Sequence, residues 1–455
     1  LQNGPPSRTI AWIFMILFFP FIGLLSFSVF GQSYRKERIF SKKQESDAAY
    51  MQNYLLDKGA LIPSQSIVDH GTFKRNEQII KLLSHHKQGF LTSGNRITFF
   101  EEGDETFSEQ EKALLAAKKS IHLQYYIVDQ GKVLDRMIAI LEEKVRNGVE
   151  VRFIIDGLGS RKLEPRFIRS IRKKGIECEI FLPVKIGIFP NRINYRNHRK
   201  IIVIDGKVGF TGGINISDKY LRDEELGTWK DSHVRIEGPA VGSLQLIFLA
   251  DWHFLSRQNL DPKKYIDTQS HADGVPVQVI SSGPDTRFKH IKGEYFVLIT
   301  NATKYVYIAT PYFLPSEAIQ MALVTSAMAG VDVRLYLPKK ADLSFVTYSL
   351  GTYLEELLIA GVKVFLFEAG FIHSKMVLVD DEVLSIGTAN LDERSLEHNF
   401  EVNAVVYDQN LSLSLKEQFE SYERQSVQIN LEEFQSRPLI TKILEAIAKI
   451  FSPLL

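Results

Sequence analysis

The stretch HRKIIVIDGKVGFTGGIN, residues 198–215, recurs as HSKMVLVDDEVLSIGTAN, residues 373–390. The two copies align without a gap and share a histidine, two charged residues, a glycine and a terminal asparagine. The matched positions are His198 and His373, Lys200 and Lys375, Asp205 and Asp380, Gly212 and Gly387, and Asn215 and Asn390. Five shared polar or glycine positions predict that the two stretches form halves of one active site.

Repetition extends beyond these two stretches. GVEVR at 148–152 recurs as GVDVR at 330–334, and Tyr126 has a counterpart in Tyr312. The offsets cluster near about 180 residues, which indicates an internal duplication. We expect a first half over 91–270 and a second over 271–435, preceded by a membrane anchor over 1–34 and a connector over 35–90.

Strand and helix patterns alternate from Arg96 onward. We expect strands over 96–100, 121–128 and 149–156, and helices over 108–118 and 133–146. The apolar runs 201–204 and 376–379 have the character of buried strands. The sequence therefore predicts an α/β fold of two duplicated α/β/α sandwich halves around a largely buried sheet.

Residues 10–30 carry no charge. As one helix they would be roughly 31 Å long, enough to span a bilayer. Pro20 leaves open a kinked, half-inserted wedge. Basic residues follow at 35, 36, 38, 42 and 43, so the positive-inside bias places the rest on the cytoplasmic side. Because the chain begins at Leu1, we expect a further span ahead of it.

The segment 436–455 is expected to form an amphipathic helix, with apolar residues from Ile440 to Phe451 at helical spacing. It would pack on the body or lie in a membrane interface. Residues 161–200 contain twelve Lys or Arg against three acids. That run is either a solvated helix face or a patch for anionic lipid headgroups.

Composition narrows the function. The 55 basic and 54 acidic residues nearly cancel, which disfavours a nuclease or another nucleic-acid-binding protein. Cys178 is the single cysteine. It cannot form an intrachain disulfide, and a buried thiol in a reducing compartment is expected.

The duplicated motif has the chemistry of a phosphoryl-binding site. Residues two apart on a strand share a face, so each histidine accompanies its lysine. Two ammonium groups would hold an anionic phosphoryl group, and two imidazoles would attack it or move protons. Asn215 and Asn390 would add amide donors, while Gly212 and Gly213 would let the backbone approach closely.

Neither a metal nor a cofactor is expected, because His-x-Lys places a cation beside each candidate ligand. Asp205 and Asp380 are candidates for the chemistry, yet their position before a turn favours a structural role. Asp231, 33 residues after His198, and Glu401, 28 after His373, are candidates for orienting the histidines or for ordinary ion pairs.

The paired His-x-Lys-x4-Asp motifs resemble those of the phospholipase D superfamily. Residues 10–455 are similar to bacterial cardiolipin synthases in the phrases IHLQYYIVD, GVEVRFIIDGLGS, INYRNHRKIIVIDG, GFTGGINISDKYL, ATPYFLP, FIHSKMVLVDD and IGTANLDERSL. The resemblance implies transfer of a phosphatidyl group between two phosphatidylglycerol molecules through a phosphohistidine. By analogy His198 would be the nucleophile and His373 the acid and base.

The implied catalytic set is His198, Lys200, Asp205, His373, Lys375 and Asp380, with Arg199, Tyr126, Tyr312, Gly212 and Gly213 as substrate-binding candidates. The implied setting is the bacterial cell membrane, with phosphatidylglycerol and other anionic lipids as partners and a homodimer as one possible assembly. The alternatives are a phospholipase D-type hydrolase, a transphosphatidylase acting on another phospholipid, and a non-catalytic membrane scaffold.

Overall fold

The structure is a computed structural model that describes residues 6–30, 40, 43, 74–85, 89–183, 195–221, 227–267, 269–286, 288–340 and 344–451. Most of the expected connector lies outside these ranges. So do residues 184–194 of the basic run.

Strands and helices alternate through the body. The strands are β1 Leu91–Phe100, β2 Ser120–Tyr125, β3 Glu150–Asp156, β4 Glu177–Phe181, β5 Ile201–Ile204, β6 Val208–Gly212, β7 Thr228–Lys230, β8 His233–Glu237, β9 Val275–Ser282, β10 Tyr305–Ala309, β11 Phe313–Leu314, β12 Asp332–Pro338, β13 Lys363–Phe367, β14 Gly370–Ile372, β15 Met376–Val379, β16 Val383–Gly387, β17 Leu391–Asp392, β18 Glu401–Tyr407 and β19 Ser426–Gln428. The bounds of β5 and β15 are those predicted from their apolar runs.

The helices are α1 Pro6–Phe18, α2 Pro20–Phe30, α3 Glu77–Ser84, α4 Gly103–Ala116, α5 Lys132–Arg146, α6 Pro165–Lys173, α7 Val241–Ser256, α8 His290–Asn301, α9 Glu317–Met328, α10 Ser344–Ile359, α11 Glu393–Glu397, α12 Gln409–Arg424, α13 Leu431–Gln435 and α14 Leu439–Phe451. Short 3-10 turns cover Asp218–Tyr220 and Pro262–Lys264.

One continuous sheet carries both halves. Its order is β19-β13-β12-β10-β15-β16-β18-β9-β1-β8-β6-β5-β2-β3-β4. In the order of the sheet, the first-half strands β8-β6-β5-β2-β3-β4 correspond to the second-half strands β18-β16-β15-β10-β12-β13. Equivalent neighbours are parallel or antiparallel in the same way in both halves. The duplicated α/β fold is therefore confirmed.

Strand β1 joins the halves at the centre of the sheet. Its residues Arg96–Phe100 pair with β8, and its start, from Leu91 to Asn95, pairs with β9. A register shift between Thr92 and Asn95 separates the two pairings. Because β1 bonds to both sides, the two half-sheets form one surface.

Helices cover both faces of this sheet. Helices α4 and α5 pack on one face of the sheet in the first half, and α8 and α9 pack on the same face in the second half. Helices α7 and α12 pack on the opposite face, in a core that joins both halves. Cys178 is buried in the first half, and burial raises its thiol pKa to about 12, as expected for an unreactive thiol.

The N-terminal apolar segment differs from the expected single helix over 10–30. It breaks at Phe19, between α1 and α2, because Pro20 lacks an N–H and its ring disfavours helical geometry at the preceding residue. The two helices fold back on each other, with the rings of Trp12 and Phe27 5.4 Å apart. Neither these nor any other described helix is long and apolar enough to cross a membrane.

The C-terminal helix α14 packs on α10 with an unusual orientation. Glu445, which is 6% exposed, faces the body beside Gly351 and accepts a bond of 2.8 Å from Arg437. Leu439, Ile440, Ile443 and Leu444 are exposed instead. The first turns of α14 therefore bury one carboxylate beside α10 and leave four apolar side chains uncovered.

Asp205 and Asp380 occupy equivalent turns at the end of β5 and β15. Each carboxylate accepts from three successive backbone N–H groups: Asp205 from residues 118–120 and Asp380 from residues 303–305, at 2.7–2.9 Å. Both residues have a positive φ, 54° and 55°, a conformation that Asp tolerates better than most residues. These contacts anchor the starts of β2 and β10.

Replacing Asp380 by Asn removes the negative charge from this acceptor. We expect the free energy of unfolding to fall by about 1–3 kcal/mol, while the folded variant keeps the activity that the resemblance implies. Urea unfolding followed by circular dichroism, with activity measured on the same sample, tests this. Unchanged stability together with lost turnover would instead make Asp380 part of the chemistry.

Candidate active site

Two short contacts between the halves build the site. Strand β7 of the first half pairs in parallel with β14 of the second, matching Lys230 with Ile372. Asn197 forms a parallel bridge with Phe400. The next residues in each pair are Asp231 with His373 and His198 with Glu401, so both histidines come to face a carboxylate from the other half.

His198 is held by Glu401. Its Nδ1 lies 2.9 Å from Glu401 Oε2, and its backbone N–H donates to the Phe400 carbonyl at 2.9 Å. The same Glu401 oxygen accepts from Thr388 Oγ1 at 2.5 Å, and Oε1 accepts from Asn399 at 3.3 Å. A carboxylate at Nδ1 favours the proton on that nitrogen, which leaves the Nε2 lone pair available.

His373 is held by Asp231. Its Nδ1 lies 2.6 Å from Asp231 Oδ2, and its backbone N–H donates to the Lys230 carbonyl at 2.6 Å. Asp231 Oδ1 accepts from the Ser232 N–H at 2.7 Å. Sequence spacing had associated each carboxylate with the histidine of its own half, and that association is wrong because the ladders pair segments from opposite halves.

Both lysines are buried beside the histidines. Lys200 Nζ donates to the His198 carbonyl at 2.7 Å, and Lys375 Nζ lies 3.0 Å from His373 Nδ1 and also contacts the His373 carbonyl. Burial lowers the pKa of Lys200 to about 7; the Lys375 charge acts in the same direction and the Glu401 carboxylate opposes it. An anion between the lysines would restore the proton on Lys200.

The two histidine–carboxylate pairs differ electrostatically. Burial, aided by Lys200, Lys375 and His373, holds the pKa of His198 well below its ordinary value, and burial raises the pKa of Glu401 to about 7. Burial alone would also raise the pKa of Asp231, but the Lys375 and His373 charges lower it. At neutral pH His198 is uncharged, while Asp231 is a stable anion beside His373.

The glycines of the two motifs are packed tightly against atoms of neighbouring residues. Gly212 has φ +150°, and a Cβ there would collide with the Ser232 carbonyl; a Cβ on Gly213 would collide with Asp231 Oδ1. A Cβ on Gly387 would collide with Asn403 and with the Val402 carbonyl. Small residues are therefore required for the strands that carry Asp231 and Glu401 to come this close.

The two asparagines are not equivalent. Asn215 accepts from the Ile127 N–H at 3.1 Å and donates to Tyr220 Oη at 2.8 Å. Its amide is therefore engaged within the first half. Asn390 is 6% exposed, and its Oδ1 has no hydrogen-bond partner among the described residues.

Aromatic rings border both histidines. The Tyr126 ring lies 4.8 Å from His198, with Lys200 Nζ 5.7 Å from the same ring. Trp229 lies 5.3 Å from His373. Tyr312 follows β10 on the loop to β11, where its carbonyl accepts from Thr310. Asp205 and Asp380 follow β5 and β15, whereas His198 and His373 precede these strands, so the aspartates lie away from the histidines.

Part of the basic run lies inside the protein. Arg199 is 5% exposed; its Nη1 lies 2.7 Å from Asp251 Oδ2, and its Nε donates to the Glu401 carbonyl at 3.2 Å. Arg196 is fully buried near Asp156. These two arginines cannot belong to a headgroup patch on the surface, and Arg199 instead holds the backbone of Glu401.

Among the described residues, no three His, Cys, Asp or Glu side chains are grouped so as to hold a metal ion.

Comparison with known proteins matches this arrangement. The family model described as "Cardiolipin synthase, PLD-like domain" matches residues 111–252 and 295–422. Cardiolipin synthase from Geobacillus sp. (strain WCH70) is 40% identical over 458 residues, covering 100% of this chain and 90% of that relative. The chain belongs to the cardiolipin synthase family. Cardiolipin synthase 2 from Bacillus anthracis is also 40% identical, over 100% of this chain and 88% of the relative.

Two further matches concern the N-terminus and the fold. The family model "Phospholipase_D-nuclease N-terminal" matches residues 2–32 of this cardiolipin synthase family member. The crystal structure of phosphatidylserine synthase from Haemophilus influenzae covers 85% of this chain and 100% of its own, with a TM-score of 0.61 and 15% identity. At that identity the likeness establishes the shared fold.

Several residues at the site were missed from the sequence. Asp251 is an isolated acid inside the otherwise apolar helix α7, and a lone buried acid of this kind signals a structural partner. Thr388, in the motif itself, also escaped notice. Phe40 and Lys43 are buried against the same region, but the connector has no pattern that distinguishes them.

The low pKa of Lys200 predicts that phosphodiester binding depends on pH. With a pKa of about 7, Lys200 is mostly protonated at pH 6 and mostly neutral at pH 8. We expect glycerophosphoglycerol, a monoanion at both values, to bind about ten-fold more tightly at pH 6. Isothermal titration calorimetry measures this, and Lys200→Met should flatten the dependence. Equal affinities at both pH values would contradict it.

The crossed pairing predicts which histidine each carboxylate controls. Glu401→Gln should change the Nδ1–Nε2 tautomer balance of His198 and leave His373 unaffected, because the amide no longer offers a carboxylate at Nδ1. Asp231→Asn, the matched control, should do the reverse. Histidine-selective ¹⁵N NMR separates the two rings. A change confined to His373 in Glu401→Gln would refute the assignment.

Proposed function

We propose that the protein transfers a phosphatidyl group from one phosphatidylglycerol to a second, forming cardiolipin and releasing glycerol. The observation that carries the proposal is the pair of crossed histidine–carboxylate contacts, which gathers two imidazoles and two buried lysines at one place. Relatives that share the full length of this chain carry the same name, cardiolipin synthase.

In the first step His198 Nε2 attacks the phosphorus. The bond from phosphorus to the glycerol oxygen breaks, and His373 donates a proton to that oxygen. A phosphohistidine remains on His198. The low pKa of His198 supports its role as nucleophile, since the ring is neutral, and the contact of His373 Nδ1 with the Asp231 carboxylate supports an acid–base role for His373. This gives a physical basis for the assignment that the symmetric motifs alone left to analogy.

In the second step His373 removes a proton from a glycerol hydroxyl of the second phosphatidylglycerol. The hydroxyl oxygen attacks the phosphorus, the bond from phosphorus to His198 breaks, and cardiolipin forms. Positioned acid–base catalysis of this kind contributes about 10²–10⁴-fold. Lys200 and Lys375 would compensate the charge that gathers on the phosphoryl oxygens in both steps.

We also propose that the catalytic body lies against the cytoplasmic face of a bacterial membrane. The basic residues that follow α2 favour that orientation. The exposed apolar side chains of α1, α2 and α14 suit contact with lipid. The exposed cations of α6, among them Arg166, suit anionic headgroups.

Purified protein with phosphatidylglycerol in liposomes should yield cardiolipin and free glycerol in equal amounts. Lipid products are separated by thin-layer chromatography, and glycerol is measured enzymatically. Phosphatidic acid without cardiolipin would contradict the transfer and favour the hydrolase. Another phospholipid turned over in preference to phosphatidylglycerol would favour a different transphosphatidylase.

His198→Ala should lower kcat by at least about 10⁴-fold, since both steps pass through this side chain. His85→Ala, at an exposed histidine, is the matched control and should retain full turnover. Circular dichroism confirms that both variants fold. Substantial cardiolipin formation by folded His198→Ala would remove this residue from the mechanism.

A further inference from the structure

A lysine from the connector is buried beneath the active site. Lys43 is 1% exposed, and its Nζ lies 3.0 Å from Asp251 Oδ1 and 3.3 Å from Asp285 Oδ2. The rings of Phe254 and Phe400 flank the ammonium group at 5.7 and 5.4 Å. A buried lysine is costly unless it is paired, and this one has two carboxylates.

The partners of Lys43 come from separate parts of the body. Asp251 belongs to α7 of the first half, and Asp285 lies in the loop that follows β9 at the start of the second. Phe40, also 1% exposed, packs edge-on against Tyr195 and Phe400, at 5.3 and 5.4 Å. The chain that leads from α2 is thus fastened where the two halves meet.

Asp251 connects Lys43 to the proposed nucleophile. Its Oδ2 accepts from Arg199 Nη1 at 2.7 Å and from Asn197 Nδ2 at 3.2 Å, so it holds both neighbours of His198. Arg199 in turn donates to the carbonyl of Glu401. One carboxylate therefore positions both members of the His198–Glu401 pair.

Charge balance makes Lys43 necessary to this arrangement. The cluster contains two cations, Lys43 and Arg199, and two carboxylates, Asp251 and Asp285, all at most 8% exposed. Removing one member of a buried ionic group leaves an uncompensated charge, which rearranges or draws in water to be solvated. Loss of Lys43 would leave Arg199 shared between two anions and loosen its hold on Glu401.

We propose that Lys43 is a positioning residue of the transfer reaction, so that this residue of the expected connector supports the active site. This inference rests on the proposed function. Lys43 holds Asp251, Asp251 holds Asn197 and Arg199, and these set the distance between His198 and Glu401. Burial of Lys43 in the body and alignment of the proposed nucleophile are then one structural event.

The test compares Lys43→Gln with Lys43→Arg in the full chain, using cardiolipin formation from phosphatidylglycerol liposomes. Lys43→Gln should lower kcat by about 10–100-fold, the scale expected when a reacting group is misplaced by a fraction of an ångström to an ångström, with little change in KM. Lys43→Arg keeps the charge and should retain most of kcat. Lys207→Gln, at a half-exposed lysine near Asp267, is the matched control.

The outcomes are distinct. If Lys43→Gln lowers Tm but keeps the kcat of the wild type, or if Gln and Arg reduce kcat equally, Lys43 serves only packing and the inference is wrong. Should Lys43→Gln not accumulate as folded protein, Asp285→Asn and Lys43→Gln/Asp285→Asn are compared instead. Asp285→Asn leaves an unbalanced cation and should lower kcat, whereas the double variant restores the charge balance and should recover it. A double variant no faster than Asp285→Asn would make the inference wrong. A wild type that makes no cardiolipin would reject the proposed function instead.

Discussion

Two carboxylate–imidazole contacts that cross between the halves determine the geometry of the whole site. They depend on two very short parallel pairings, β7 with β14 and Asn197 with Phe400. The motif glycines in turn allow each motif to lie close to the residues around Asp231 and Glu401 in its own half. The central pairing of β1 with β9 holds the half-sheets in register, so backbone hydrogen bonds determine how the two halves meet.

Burial gives the two similar constellations different properties. Both lysines and both carboxylates lie out of water, where neighbouring charges strongly affect protonation. Burial raises the pKa of Glu401 to about 7 although the Lys200 charge opposes the shift, whereas, despite burial, the Lys375 and His373 charges keep the pKa of Asp231 below its ordinary value. An almost symmetric fold therefore gives its two imidazoles different electrostatic surroundings, as the proposed mechanism requires.

Much of the fold follows from local sequence. Apolar runs bounded by polar residues placed β5 and β15 correctly, and repetition of the motif revealed the duplication. The partner of each histidine could not be found this way, because the bonded carboxylates are 203 and 142 residues distant in the chain. The break at Pro20 was available from the chemistry of proline, yet the length of the apolar run favoured one helix. No sequence pattern around Lys43 predicts its burial, because that burial depends on Asp251 and Asp285, which lie in distant elements.

The crossed carboxylates also bear on the history of the chain. A single half has a histidine but no carboxylate of its own within reach, so it would need a second copy, placed by a two-fold axis, to complete each pair. Fusion of such a symmetric dimer into one polypeptide would give the present architecture. Fusion removes the requirement that both copies be identical, and it is the condition under which Glu at one position and Asp at the other can diverge into separate roles.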